Sequence, residues 1–271
     1  MTSTRPLAAV ERALAVLRVG ADATLAGRAV LLGRGVFYLL VIALLATFWD
    51  LVAAERLPGT LSSLLPAGGL AVYVGVTEWI TLSVPAIHLR LEDDIRSGAI
   101  EAHLLRPASY PVLRISESCG GLLVRQGMLG AIGVVALLLS GHAVPSAAMW
   151  ICLVVLGVLG GFVGILLFAL VGMSAFWLRR TIPIYLCVQK MSFLLGGLFA
   201  PLTLYPVWLR GISEASPFAA QLYWPAVIVV SPGAATVLRA FTYEVLWIAI
   251  LSTLLAMIWR VGLQRMLRQG I

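Results

Sequence analysis

The chain of 271 residues is 61% apolar and only 11% charged, less than half the roughly 25% charge of an ordinary soluble domain. Its mean hydropathy is +1.01, and the 53 residues from Gln126 to Leu178 contain no Asp, Glu, Lys or Arg, room for two membrane spans at about 20 residues each. A soluble enzyme is excluded. The net charge of +7 rests on 18 Arg and one Lys scattered between apolar runs, without the basic stripe of a nucleic-acid binder, so a polytopic all-α membrane protein remains.

The first element, residues 7–28, repeats apolar residues at Leu7, Val10, Leu14, Leu17, Ala21 and Leu25, a helical spacing, with Glu11, Arg18 and Asp22 on a neighbouring stripe. Charges interrupt it too often for a cleavable signal, and it reads as an amphipathic helix lying on the membrane surface. Six spans follow, at about 36–53, 70–89, 121–139, 147–170, 183–204 and 240–261. Between spans two and three lies a polar stretch, Arg90 to Arg114, with four Arg and four acidic residues. Between spans five and six, the segment 206–233 is apolar but broken by proline; Pro201, Pro206, Pro217, Pro225 and Pro232 forbid one continuous helix. Two short helices dipping into the bilayer would reconcile the breaks with the apolar run, with Trp208, Tyr223 and Trp224 as interfacial anchors.

Sidedness follows from counting. With the N-terminus inside, fourteen Arg face the cytoplasm and three (Arg56, Arg210 and Arg239) the other side, while Arg125 and Lys190 lie inside spans. That asymmetry places both termini in the cytoplasm.

Few residues carry chemistry. Glu78 lies near the middle of span two, where an ionisable group must face a cavity or a partner. It can attract a cationic substrate or pair with Lys190 or Arg125, forming a substrate pathway with them; equally, it can be a packing residue. Arg125 and Lys190 are close enough to the surface to snorkel. Gly157, Gly160, Gly161 and Gly164 make two overlapped small-residue pairs that allow close helix approach, most economically within this chain. His88, His103 and His142 lack ligand spacing and read as solvent-side or interfacial, so no metal site is expected. The odd cysteine count of Cys119, Cys152 and Cys187, all in apolar spans, suggests no disulfide framework. There is no phosphate-binding Gly-x-x-x-x-Gly-Lys-Ser/Thr and no nucleophile–base arrangement, so no catalytic residue is expected.

The loop Leu91-Glu92-Asp93-Asp94-Ile95-Arg96-Ser97-Gly98-Ala99-Ile100-Glu101-Ala102-His103-Leu104-Leu105-Arg106-Pro107 resembles the cytoplasmic loop of type-2 ABC (ATP-binding-cassette) exporter permeases, notably a prokaryotic branch that includes drug exporters. The segment Pro201-Leu202 … Tyr205-Pro206-Val207-Trp208-Leu209 … Ser216-Pro217-Phe218 … Tyr223-Trp224-Pro225 is similar to the same branch. The resemblance covers essentially the whole chain and implies a single permease domain, 1–271, of a bacterial cytoplasmic membrane. It implies that 91–107 is a coupling helix, with Asp93, Asp94, Ile95, Arg96, Gly98, Ile100, Leu104 and Arg106 seated on an ATPase. It also implies re-entrant outer helices, with Pro206, Trp208, Pro217, Phe218 and Tyr223 at an outer gate. Two ABC ATPase subunits would bind ATP and Mg2+, this chain needing no cofactor, and a second six-span permease, identical or paralogous, would complete the pathway. By periodicity alone, Ile100, Leu104 and Leu105 can share one face of a short helix suited to a partner's groove. The competing function class is an ion- or proton-coupled secondary transporter using Glu78, which would work without ATP.

Overall fold

The computed structural model describes residues 4–54, 69–101, 109–140 and 146–268, and among these the chain is helical with no strand. Helices α1 (Thr4–Ala26) and α2 (Arg28–Ala54) meet at Gly27. They are followed by α3 (Gly69–Ser83), α4 (Ile87–Arg96), α5 (Tyr110–Leu139), α6 (Ala147–Met173), α7 (Ile182–Leu195), the short α8 (Val207–Glu214), α9 (Pro217–Gln221) and α10 (Tyr223–Val230), and the long α11 (Ala234–Arg268). Among the described residues, five stretches are apolar and long enough to cross a membrane: Arg28–Trp49, Gly69–Arg96, Tyr110–Leu139, Ala147–Phe176 and Ala234–Arg268. The expected span at 183–204 is instead a shorter apolar helix. It stops at Gly196, and Gly197 then turns the chain at φ +68° into a tight turn at Leu202–Leu204.

Span two also differs from its expected form. It does not run unbroken to Leu89, because Pro85 has no N–H for the helical ladder and its ring crowds the preceding turn. The chain restarts at Ile87 as α4, whose Ile87 N–H donates to the Pro85 carbonyl at 2.9 Å. This break separates a charged helix from an apolar one.

Two apolar cores hold the bundle. One gathers Val84, Ile87, Leu91, Ile100, Tyr110 and Leu122 with the second half of α6 and Leu255 and Met266 of α11, at the end carrying most of the arginines (the basic end). The other gathers Tyr73, Ile80, Leu129, Leu156 and Leu202 with α9 and α10, at the proline-rich end. Polar ties cross between helices here: Tyr73 Oη donates to Gly197 O at 2.7 Å, Thr77 Oγ1 to Leu198 O at 3.0 Å, and Trp79 Nε1 to Gln126 O at 2.8 Å. The α6 glycines serve packing within the chain. Gly157 faces the Trp79 ring, Gly160 the Gln221 backbone, and Gly164 Val84 and Gln221, each with no room for a Cβ.

The proline-broken segment contains three short helices rather than the expected two. Trp208 is exposed on α8, as an interfacial anchor should be, but Tyr223 and Trp224 are buried in the core. Trp224 stacks on Tyr243 of α11 at 4.8 Å and donates to the Glu214 carbonyl, so its polar atom is satisfied inside the protein rather than at an interface.

Candidate functional site

The α4 junction is built from charge pairs set over an apolar anchor. Asp94 Oδ2 accepts hydrogen bonds from Tyr110 Oη at 2.5 Å and Arg114 Nε at 2.9 Å, with Arg114 Nη2 at 2.6 Å. Arg114 also reaches Glu117 Oε2 at 2.8 Å, and Arg90 pairs with the other Glu117 oxygen. These contacts tie α4 to the start of α5. On the opposite side of α4, the buried Glu92 carboxylate accepts from the Thr181 N–H at 3.1 Å and from the Thr181 hydroxyl, just ahead of α7. The helix is therefore clamped to two neighbours by two different carboxylates.

Ser97 N–H caps the helix on Asp93 O, and Gly98, at φ +73°, turns the chain in a conformation that a Cβ would strain. The expected coupling residues divide into groups. Asp93 and Arg96 are exposed, as is Glu101; Asp94 and Ile95 are half-buried. Ile100 is 0% exposed and packed into the chain's own basic-end core. The docking face expected to include Ile100 is corrected accordingly: this side chain anchors the turn because the core next to Tyr110 and Leu91 removes more of its surface from water than an open loop position could. Leu104 and Arg106 lie outside the described residues.

The expected intramembrane pairings also need correction. Glu78 is buried on α3 and has no hydrogen bond or ion pair among the described residues; the neutral Tyr38 hydroxyl lies within electrostatic reach of it but donates to Gly75 O. Lys190 is exposed on α7 with its ammonium 5.3 Å from the Phe193 ring centre, while Arg125 lies within electrostatic reach of Arg34 and Arg90. Among the described residues, neither cation pairs with Glu78. His88 is not solvent-side either: it is buried, stacked on Tyr185 at 4.0 Å and edge-on to Phe168.

Glu244 was not singled out by the sequence reading. On α11 it is 0% exposed, and neither carboxylate oxygen has a hydrogen-bond partner among the described residues. A lone Glu three turns into a hydrophobic 35-residue helix was the available signal. Among the expected outer-gate residues, Pro206 caps α8, Pro217 opens α9, Trp208 is exposed, Phe218 is half-buried and Tyr223 is buried. Ser216 caps α9 by accepting from Ala219 N–H, and Trp247 of α11 donates to Ala215 O, so these short helices are fastened to the last long one.

No cluster of potential metal ligands occurs among the described residues, and the cysteines are free. A search of curated proteins and a search of solved structures give no match. The family model described as ABC-2 family transporter protein matches residues 66–270. That match runs from just ahead of α3 to the end of α11 and takes in the clamped α4 junction and the buried short helices; the chain belongs to the ABC-2 transporter family, as a membrane-spanning permease component.

Proposed function

We propose that the chain is one half of the transmembrane pathway of an ATP-driven exporter and receives the force of a separate ATPase through α4 and the turn after it. The observation that carries this reading is the double clamp: α4 exposes Asp93 and Arg96, and the segment after its turn Glu101, while the buried face of α4 is tied to α5 through Asp94–Arg114 and to α7 through Glu92–Thr181. A partner pressing on that face would move α5 and α7 together, which a solvated loop held by weak surface pairs could not do. Two copies, or this chain and a paralogue, would enclose the pathway over two ATPase subunits carrying ATP and Mg2+. The arginine asymmetry supports a cytoplasmic face for the basic end and both termini, in what this reading takes as a bacterial inner membrane. In that orientation α1 is the interfacial helix, and α8 to α10 form the re-entrant outer gate around Pro206, Trp208, Pro217, Phe218 and Tyr223. Of the proposed pathway residues we keep Glu78 and add Glu244, as buried carboxylates that a cationic substrate could meet.

The test uses exposed residues, so that folding is spared. Asp93→Arg combined with Glu101→Arg is expected to cut the ATP hydrolysis of the assembled complex in liposomes at least about tenfold, since each reversal turns an attraction at the interface into a repulsion. The helical circular dichroism and melting temperature of the permease should be unchanged. Full hydrolysis in the double variant would remove α4 from the interface, and transport without any ATPase would replace the whole reading with a secondary transporter.

A further inference from the structure

We propose that the seam between α2 and α5 is a binding site for one anionic phospholipid, its phosphate held by Arg34 and Arg125 and an acyl chain lying along the apolar groove beyond them. This goes beyond the transport reading and stands or falls independently of it.

Two cavities lie along this seam. The one at the basic end, about 370 Å3, is lined by Arg34, Arg90, Arg114 and Arg125 with a single acid, Glu117, and is floored by the α1–α2 turn and the corner at Pro85. The next, about 420 Å3, is lined almost wholly by apolar residues from α2, α3, α5 and α6. On α2 the lining passes from one cavity to the other through Leu31, Arg34, Tyr38, Ile42 and Ala46, spacings of three and four that trace one face of a helix. On α5 it passes from Gly121 and Arg125 to Gly130, Val134 and Leu137. The two cavities are therefore the charged and apolar parts of one groove.

The charges in it do not balance. Arg114 is taken up by Asp94 and Glu117, and Arg90 by Glu117. Arg34 donates to the Leu82 carbonyl at 2.6 Å but meets no carboxylate among the described residues. Arg125 lies within repulsive reach of Arg34 and Arg90, and its Nη1 is buried without a hydrogen-bond partner. Adjacent guanidiniums with an unfilled donor call for an anion with several acceptor oxygens, which a phosphate supplies in the forked geometry Arg prefers.

The groove beyond selects the source of that phosphate. From Arg125 to Leu137, α5 rises about 18 Å. That is close to one leaflet of a hydrocarbon core roughly 30 Å thick. A free phosphate would leave this groove to be filled separately, whereas a phospholipid fills both parts at once.

The purified chain, delipidated in detergent, tests this by native mass spectrometry after incubation with dioleoyl phosphatidylglycerol, with dioleoyl phosphatidylcholine, with dioleoylglycerol or with inorganic phosphate. The expected result is one phosphatidylglycerol retained per chain, at least about tenfold more tightly than the other three, because phosphatidylcholine sets a choline cation against the arginines, dioleoylglycerol has no phosphate to pair with them, and inorganic phosphate leaves the groove unfilled. Arg34→Gln with Arg125→Gln should abolish that preference. Gly127→Trp, at a position lining the apolar cavity with nothing within 4 Å of an added Cβ, should weaken phosphatidylglycerol while leaving any phosphate binding intact. Arg179→Gln with Arg180→Gln, exposed charges away from the seam, should retain the preference. Equal retention of phosphatidylglycerol and phosphatidylcholine, retention of free phosphate at the same strength, or an unchanged preference in the Arg34/Arg125 double variant would each overturn the proposal. The melting temperature of every variant, measured without lipid, identifies any that fails to fold, and the wild-type comparison among the four ligands decides the matter without them.

Discussion

Gly120→Val is expected to dislodge α1 from the bundle and destabilise the protein by about 3 kcal/mol, the upper part of the range for overpacking a filled contact. Gly120 of α5 and Gly20 of α1 face each other so closely that a Cβ at Gly120 would lie 1.9 Å from the Leu17 carbonyl oxygen, and one at Gly20 the same distance from that of Glu117. Both obstacles are backbone, so no rotamer change relieves them, and the helices must part. Thermal unfolding in detergent reads the loss, and proteolysis within α1 reads the detachment. Gly33→Ala is the control: nothing lies within 4 Å of its added Cβ, and alanine is the better helix former by about 1 kcal/mol. It should be neutral or slightly stabilising.

The second large effect is expected at Glu92. Replacing it with alanine strands the buried Thr181 N–H and hydroxyl, both of which donate to its carboxylate. Hydrogen bonds to a charged acceptor contribute roughly 1.5–3 kcal/mol each, so the pair puts the loss on the order of 3 kcal/mol or more. Because the Asp94–Arg114 clamp survives, α4 should stay on α5 and lose only its hold on α7. In the reconstituted complex, Glu92→Ala should leave ATPase binding in place while transport per ATP hydrolysed falls sharply. Glu92→Gln, which keeps an acceptor in the same place, should recover much of both stability and coupling. Wild-type stability and coupling in Glu92→Ala would mean that the bonds to Thr181 carry no force between the helices.

What could be read from the sequence, and what could not, divides along physical lines. Hydropathy over 20 residues senses the average environment, so the long apolar stretches, the charged interval before α5 and the broken segment before α11 were all legible. It does not sense a single residue that acts through the backbone. Pro85, set among Val84, Ala86 and Ile87, raised no polarity signal, and yet it ends α3 and creates α4. Gly196 and Gly197 likewise shortened α7 without disturbing its apolar character.

At the junction before α5, charge marked a polar interval but not the direction of each side chain. A face drawn through Ile100 from a few residues of loop could not show that Leu91 and Tyr110 wait on the bundle side to bury it. Glu244 was hidden for the opposite reason: one acid in a 35-residue apolar helix is averaged away, and its significance comes from having no partner for either oxygen. Tyr223 and Trp224 have the composition of interfacial anchors, but the stacking partner at Tyr243 draws Trp224 inward, and composition cannot report that contact. The two arginines of the seam were separately visible, but their proximity exists only in the folded chain.

Site-specific photo-crosslinking in native membranes tests the central claim, that α4 and its turn form the seat of an ATPase, most directly. A crosslinker placed in turn at Asp93, Ala99 and Glu101, all exposed, and at Trp208 on the opposite end, is followed by sequencing of the captured chain. The account predicts that the three basic-end positions capture a subunit bearing Gly-x-x-x-x-Gly-Lys-Ser/Thr, the phosphate-binding loop this chain lacks, and that Trp208 does not. Capture of that subunit from Trp208, or its absence from all three α4 positions in membranes where the complex is intact, would contradict it.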